Sequence, residues 1–537
     1  MSYLAIGIFP LALFETDAMG VLSGCKHMLE TGRFGENEYT YYFHSQPGIY
    51  AWVIGFQKLS GVSLVAVYSL LSALFGLLFA GLSAYFLARL LDTGLISSLL
   101  CLLLFQEIYS ACFYMNSATG AAFFMMAAFC VVYNQNTPTR LIGGGLLLAL
   151  AAWTRLDVVV AFPVVALLLS AGTVRSRIGH TALVFAAFAV ALTVLCWVSN
   201  AHNVLREVLQ GGSSLSFTDN QRMAGSFVSS QFVRVLVGYF SVLTVLLIVH
   251  GTWHLIRAER WHLLSIYLLP VCLFIILLGG RLVAGKHLLY YTPFFAIPVL
   301  VSCRQLYGWG GWRGSLLFKA LLVVAALQYV VGVQVAFAAY PYSNKPYASV
   351  RPYPTVYTLA TVPSPIRQLD RTRFVFGGGT KLATADELLL SSGIMFAPLM
   401  WSQLKQDTEA DYAAIQNYLA SFRGDTLHIT TSQSSAYPIK NLLYLSDYQI
   451  LKAGPVAYGS DATYQRTWRK NGRVIMVDQS VYPKKDYPAY IQKLAANPYP
   501  AYLHIALWDW ERWYLHRYNR HTDTLRHVGY FFGKSPA

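Results

Sequence analysis

Long apolar stretches alternate with short polar connections through the first 339 residues. Apolar runs of about 20 residues recur from residue 62 onward, which is the length a helix needs to cross about 30 Å of hydrocarbon. The pattern predicts about eleven membrane-spanning helices, near residues 3–14, 63–88, 94–113, 117–133, 141–153, 156–171, 180–199, 232–256, 262–279, 288–303 and 315–339.

The character of the chain changes after residue 339. Charges, prolines and tyrosines become frequent, and no apolar run is long enough to span a bilayer. A helical pattern over 407–422 alternates with short β-rich runs at 374–376, 427–430, 474–477 and 502–505. We therefore predict a polytopic α-helical membrane domain over 1–339 and a soluble α/β domain over 340–537.

The amino-acid composition excludes several classes of protein and of binding partner. Apolar residues make up 55% of the chain, charged residues 12%, and the mean hydropathy is +0.45, which excludes an ordinary soluble protein. The net charge of +15 does not indicate a nucleic-acid partner, because the basic residues are scattered and form no binding signature. Membrane topology and a surface facing anionic lipid explain them better. The seven cysteines all precede Arg304, and six lie in or beside apolar spans, so no disulfide framework is expected.

Basic residues concentrate in alternate connections: Arg89, Arg140, Arg175 with Arg177, Arg257 with Arg260, and Arg304 with Arg313. The positive-inside rule places these connections in the cytoplasm. The other connections and the C-terminal domain then face outward. One outward polar face would hold Asp17, His44, Arg155, Asp157, Arg281, Lys286 and His287, which fits a single active site.

Asp17 lies where the first apolar run ends, at the start of a polar segment from Glu15 to Ser60. A carboxylate beside hydrocarbon is costly and indicates a function. A sugar transferase needs such a carboxylate to take the proton from an acceptor hydroxyl. Alternatively, Asp17 caps a helix that begins at Ala18.

This segment resembles the first external loop of polyprenyl-phosphate-dependent glycosyltransferases of the GT-C type. The resemblance is carried by Asp17, by Gly32–Phe34, and by Tyr41–Trp52, which contains His44, Gln46 and Pro47. It is similar to protein O-mannosyltransferases, with an Asp-Glu pair and a His-Pro-Pro-Leu-Gly element, and to lipid A aminoarabinose transferases, with Lys-Pro-Pro-Leu before an aromatic pair.

The resemblance implies an inverting hexosyl- or pentosyltransferase of the bacterial inner (plasma) membrane. Its partners would be a polyprenyl-phosphate sugar, the lipid bilayer and an extracytoplasmic acceptor, with Asp17 as base or substrate-orienting group. Two departures stand out: Ala18 replaces the usual Glu, and Gln46-Pro47 replaces Pro-Pro. The missing second acid leaves a divalent metal as an open question. No HExxH or CxxC spacing occurs, and no other cofactor is predicted.

Cations are expected where the lipid phosphate leaves, because negative charge develops there. Arg281 and Lys286 are the predicted phosphate ligands and His287 is a lesser candidate, in a segment similar to the family's basic-Tyr-Leu-Pro sequence. Alternatively, these side chains are interfacial anchors. The predicted substrate-binding residues are His44, Gln46, Arg155, Asp157 and Tyr290, although Arg155 and Asp157 could simply satisfy each other.

Two rival functions stay open. A transporter or flippase for lipid-linked or small solutes usually shows internal repeats and polar groups at the midplane, whereas this chain shows no repeat and gathers its polar candidates at one face. A catalytically silent, glycan-binding member of the family is the other alternative. Turnover of a lipid-phosphate sugar separates the enzyme from both rivals.

Overall fold

A computed structural model describes the helical part of the chain and short pieces of the C-terminal part. The described residues are 16–35, 46–105, 117–169, 173–202, 242–278, 289–308, 320, 426–432, 443–444, 449–452, 464–470, 473–480 and 502–505.

The predicted first loop contains two helices, α1 (Thr16–Thr31) and α2 (Pro47–Ser60). Proline at the first position of α2 favours its start because its missing N–H has no partner there in any case. Gly61 ends α2 in the left-handed conformation and donates its N–H to Gln57 O. Neither helix contains a long apolar run, which is why hydropathy alone predicted a loop.

A group of antiparallel helices follows: α3 (Leu64–Leu91), α4 (Leu95–Leu102), α5 (Ser117–Val132) and α6 (Pro138–Thr154). The Ser63 hydroxyl caps α3 by accepting from the Ala66 N–H. The predicted spans 63–88, 117–133 and 141–153 correspond to α3, α5 and α6. The predicted span 94–113 does not continue as one helix, because α4 ends at Leu102.

The chain then forms a 3₁₀ helix (Leu156–Val164), α7 (Val165–Leu168), α8 (Val174–Val198), α9 (Val242–Arg257), α10 (Trp261–Leu278), a second 3₁₀ helix (Leu289–Tyr291) and α11 (Thr292–Gly308). The predicted α-helical span at 156–171 therefore begins as 3₁₀ helix. Its valine run crowds an α-helix, and Pro163 has no N–H to donate.

Two of the described helices, α3 and α8, are long and apolar enough to cross a membrane by length and composition. α8 leaves large apolar side chains uncovered, including Val190, Val194 and Trp197. Such a surface suits contact with lipid. The predicted spans 3–14 and 315–339 lie outside the described residues, and the number of spans stays a prediction.

Contacts between connections gather many basic residues at one end of the helical bundle. The Arg304 Nη1 donates to Leu91 O at 3.2 Å, the Tyr133 hydroxyl to Arg89 O at 3.5 Å, and the Asn134 N–H to Leu168 O at 2.8 Å. Helix α6 begins shortly after Asn134, and α8 begins shortly after Leu168. The arginines in the first turns of these two helices therefore lie at the same end of the bundle. We call it the basic end, comprising Arg89, Arg140, Arg175, Arg177 and Arg304. That it faces the cytoplasm stays a prediction.

Helices α6 and α8 cross at Gly145. A Cβ at this position would collide with Val184 O and would lie 2.7 Å from the Cβ of Ala187. Such an approach is possible only without a side chain, and small residues commonly allow helices to approach closely in membranes. By contrast, a Cβ at Gly143, on another face of α6, would meet its nearest neighbour, Val131 Cγ1, at 4.0 Å.

Gly145→Ala should therefore destabilise the protein by about 1–3 kcal/mol, because α8 must move away from α6. Gly143→Ala is the matched control. It should be neutral or stabilising by up to about 1 kcal/mol, since alanine favours helix and its Cβ meets only an ordinary van der Waals contact. Thermal unfolding of both purified variants in one detergent measures the difference. Equal melting temperatures would contradict the close crossing.

The described C-terminal residues form a five-stranded mixed sheet of order β2-β3-β4-β1-β5. Its strands are β1 (Thr426–Ser432), β2 (Gln449–Lys452), β3 (Tyr464–Lys470), β4 (Arg473–Ser480) and β5 (Tyr502–Ile505). β1 lies parallel to β4 and β5, with Thr426 opposite Val474, while β3 runs antiparallel to β2 and β4. The runs predicted at 427–430, 474–477 and 502–505 are strands. The predicted strand at 374–376 and helix at 407–422 lie outside the described residues.

Candidate functional site

An ion pair between Arg155 and Asp157 lies at the end of the bundle opposite the basic end. Arg155 adopts an extended conformation between α6 and the 3₁₀ helix, and its Nε donates to Asp157 Oδ1 at 2.8 Å. Only 14% and 17% of these side chains are exposed. Charges so far removed from water need close partners, because an unpaired charge in such surroundings is very costly.

The ion pair is the centre of a larger polar network. The buried Tyr290 hydroxyl donates to Asp157 Oδ1 at 3.1 Å, and Arg155 Nη1 donates to Ser117 Oγ at 3.3 Å. The Ser117 hydroxyl in turn donates to Gln46 Oε1. Four chain segments that lie far apart in sequence therefore meet. We call these five residues the polar network.

Four members of the polar network, Gln46, Arg155, Asp157 and Tyr290, are among the residues that the sequence predicted to bind substrate. Their roles stay predictions, but their proximity is a structural finding. The sequence interpretation missed Ser117, which lies at the first position of α5 and reads as an ordinary helix start. Its location directly after Asn116, at the end of a predicted outward connection, was the available signal.

Aromatic side chains pack beside the polar network and fix its position. The Trp52 Nε1 donates to Thr154 Oγ1 at 3.1 Å, and the Trp52 ring stacks on Phe124 with centroids 5.3 Å apart. A Cβ on Gly48 would lie 2.9 Å from the Cα of Thr154, so α2 touches the end of α6 directly. This contact fixes Gln46, which precedes α2, relative to Arg155, which follows α6.

Asp17 belongs to α1, which includes Thr16, so it lies within the helix rather than before a helix that begins at Ala18. Helix α1 lies against α2, and the Cys25 Sγ is 4.0 Å from Tyr50 O. The helix that carries Asp17 therefore packs against α2, which begins directly after Gln46.

A residue from the C-terminal part also contacts α1. Tyr444, which is 7% exposed, donates its hydroxyl to Glu30 Oε2 at 2.6 Å. The same hydroxyl lies 3.2 Å from the His27 Nδ1, and the Lys26 Nζ donates to Tyr444 O at 2.8 Å. Since Lys26, His27 and Glu30 lie on consecutive turns of one helix, Tyr444 fastens the C-terminal part to α1.

The remaining predicted site residues lie outside the described residues. These are His44, Arg281, Lys286 and His287, and the Asp17 side chain is likewise not described. Among the residues that the structure describes, no three His, Cys, Asp or Glu side chains come together as a metal site.

The polar network combines one guanidinium, one carboxylate, two hydroxyls and one amide at the edge of an apolar bundle. Guanidinium groups match phosphate and carboxylate oxygens. Carboxylate, amide and hydroxyl groups form hydrogen bonds in the directions that sugar hydroxyls need. The arrangement is therefore chemically suited to the polar head of an amphiphilic molecule whose apolar part stays in the bilayer.

No family model matches the chain, and no curated protein matches its sequence. Two solved structures of ArnT from Cupriavidus metallidurans are similar to it at 16% identity. The ArnT structure with undecaprenyl phosphate bound has a TM-score of 0.49 and covers 82% of this chain and 84% of ArnT. In the apo state the TM-score is 0.45 over 79% of each chain. ArnT is a lipid A aminoarabinose transferase, one of the two families that the first-loop residues resemble.

Proposed function

We propose that this chain is an integral membrane glycosyltransferase that moves a hexose or pentose from a polyprenyl-phosphate donor to a hydroxyl of an extracytoplasmic acceptor. The observation that supports this most is the polar network: four distant segments converge on a largely buried Arg155–Asp157 pair at one end of an apolar helical bundle. A lipid-linked sugar whose lipid lies along the apolar bundle would present its polar head at this end.

The proposed reaction is a direct displacement with inversion. Asp17 accepts the proton of the acceptor hydroxyl while that oxygen forms a bond to the anomeric carbon. The bond between the anomeric carbon and the phosphate oxygen breaks, and its electron pair leaves with the polyprenyl phosphate. Lys286 and Arg281, with His287 as a lesser contributor, stabilise the charge on the departing phosphate. The inversion and these roles follow from the family resemblance.

In this proposal the polar network and His44 bind the sugar and orient it. Arg155 is held by Asp157 and Ser117, so its guanidinium is positioned before substrate arrives. Fixed donors stabilise a bound or reacting group without the cost of reorganisation. Tyr290 and Gln46 complete the hydrogen-bonding surface.

The proposed topology puts residues 1–339 in the bacterial inner membrane and residues 340–537 outside the cytoplasm. The gathering of arginines at the basic end supports this orientation, because the polar network lies at the opposite end. The Tyr444 contact with α1 further supports a C-terminal part on the same side as the site.

The test is turnover by the full chain. Protein purified in detergent is given a panel of polyprenyl-phosphate sugars with an acceptor-rich membrane extract, and released polyprenyl phosphate is measured. We expect release with at least one donor. No release, together with solute flux across proteoliposomes, would establish the transporter instead, and glycan binding without release would establish a silent binder. Repeating the assay with EDTA and added Mg²⁺ or Mn²⁺ answers the question of the metal.

A further inference from the structure

A groove runs along α8 at the basic end of the bundle, far from the polar network. Its volume is about 420 Å³, and its wall includes Ala166, Arg177, Ile178, Thr181, Ala182 and Phe185. All but Ala166 belong to α8, where spacings of three, four and seven residues put side chains on one face. Apart from Arg177 and the Thr181 hydroxyl, these wall residues are apolar.

One nitrogen atom of the groove wall, Arg177 Nε, is shielded from water but makes no hydrogen bond within the described part of the chain. The ion pairs found between described residues, Lys26–Glu30 and Arg155–Asp157, do not involve Arg177. Shielded polar groups are normally paired, so this site is suited to an anion that supplies hydrogen-bond acceptors.

The surroundings of the groove identify the kind of anion. The wall of the groove is largely apolar, and Val174 and Ile178, which belong to it, are 77% and 64% exposed. Helix α8 has 25 residues and is long and apolar enough to cross a bilayer. A soluble phosphate compound would leave this apolar surface unfilled, whereas a phospholipid covers it with an acyl chain.

We propose that the groove is a binding site for one anionic phospholipid. The headgroup phosphate accepts hydrogen bonds from Arg177. The first part of an acyl chain lies against Ile178 and Phe185. Charge complementarity favours an anionic over a zwitterionic lipid, because no described carboxylate pairs with Arg177.

This site is separate from the proposed donor site. The Trp153 Nε1 donates to Ser199 Oγ at 3.1 Å, which puts the far end of α8 beside Arg155. Arg177 is 22 residues earlier in the same helical segment, which corresponds to about 33 Å along the axis. Lipid bound at Arg177 therefore does not occupy the polar network, and the inference is independent of the proposed function.

Native mass spectrometry of the full chain in a mild detergent tests the site. Phosphatidylglycerol and phosphatidylcholine with the same acyl chains are titrated separately. We expect tighter binding of phosphatidylglycerol, and Arg177→Gln should weaken that binding about tenfold through the loss of a charge-assisted hydrogen bond. The matched control is Arg175→Gln, which removes the same charge two residues away on an exposed position outside the groove wall, and should change affinity less than about twofold.

A second variant separates the groove from general charge attraction. Ala182→Trp leaves the charge unchanged but fills the groove, and it should also weaken phosphatidylglycerol binding about tenfold. Melting temperatures show that each variant is folded. Equal affinities for the two lipids, equal losses in Arg175→Gln and Arg177→Gln, unchanged binding in Ala182→Trp, or displacement of the lipid by millimolar inorganic phosphate would each overturn the proposal.

Discussion

Asp17→Asn should abolish sugar transfer, with a fall in kcat of about 10²–10⁴-fold, which is the typical contribution of a positioned general base. Asparagine has nearly the shape of aspartate but cannot take up the proton of the acceptor hydroxyl. Loss of the carboxylate from the first turn of α1 removes a favourable interaction with the helix dipole of only about 0.3–1 kcal/mol. Helix α1 should therefore form as in the wild type, and donor binding should change far less than turnover.

The matched control is Asp92→Asn. Asp92 is exposed, ends α3 in the left-handed conformation with φ 52°, and adjoins the basic end, far from the polar network. Asparagine tolerates that conformation well, so this variant removes one negative charge without strain. Release of polyprenyl phosphate and the melting temperature are measured for both variants. Full activity in Asp17→Asn would remove Asp17 from the mechanism while leaving the class of enzyme intact.

Asp157→Asn should both destabilise the protein and impair its activity. The substitution leaves the Arg155 guanidinium, of which 14% is exposed, without its carboxylate, and it weakens the acceptor of the Tyr290 hydroxyl. Breaking a buried pair by removing one partner typically costs about 3–5 kcal/mol. The partial exposure of both side chains puts the expected loss at the lower end, about 3 kcal/mol, and thermal unfolding measures it.

Replacing both partners distinguishes a structural role from a binding role. Arg155→Met combined with Asp157→Leu removes both charges and keeps the volume, which is often neutral for stability. We expect the melting temperature to recover toward the wild-type value while the KM for the donor stays at least about tenfold raised. If activity returned together with stability, the pair would serve only to satisfy itself at the edge of the bundle.

Residues missed or misassigned by the sequence interpretation share a physical cause. Hydropathy predicts a loop where α1 and α2 form, because these helices lie beside other helices and do not need a continuous apolar run to be buried. The strands β2 and β3 carry polar residues such as Arg466 and Lys470, so they lacked the alternation that marks a strand. In both cases neighbouring elements stabilise a structure that local pattern does not specify.

The sequence by itself determined the helical, apolar character of the bundle, the position of most of its described helices, and three of the five described strands. These properties follow from local periodicity and from the free energy of moving apolar side chains out of water. It also singled out Gln46, Arg155, Asp157 and Tyr290 one by one.

Only the tertiary structure decided that these four residues meet, that Ser117 joins them, and that Tyr444 fastens a distant segment to the helix of Asp17. Contacts of this kind span 38 to more than 400 positions along the chain. They depend on the crossing of whole helices, such as α6 on α8 at Gly145. Helix crossings are set by the fit of many side chains at once, and no local pattern in the sequence records that fit.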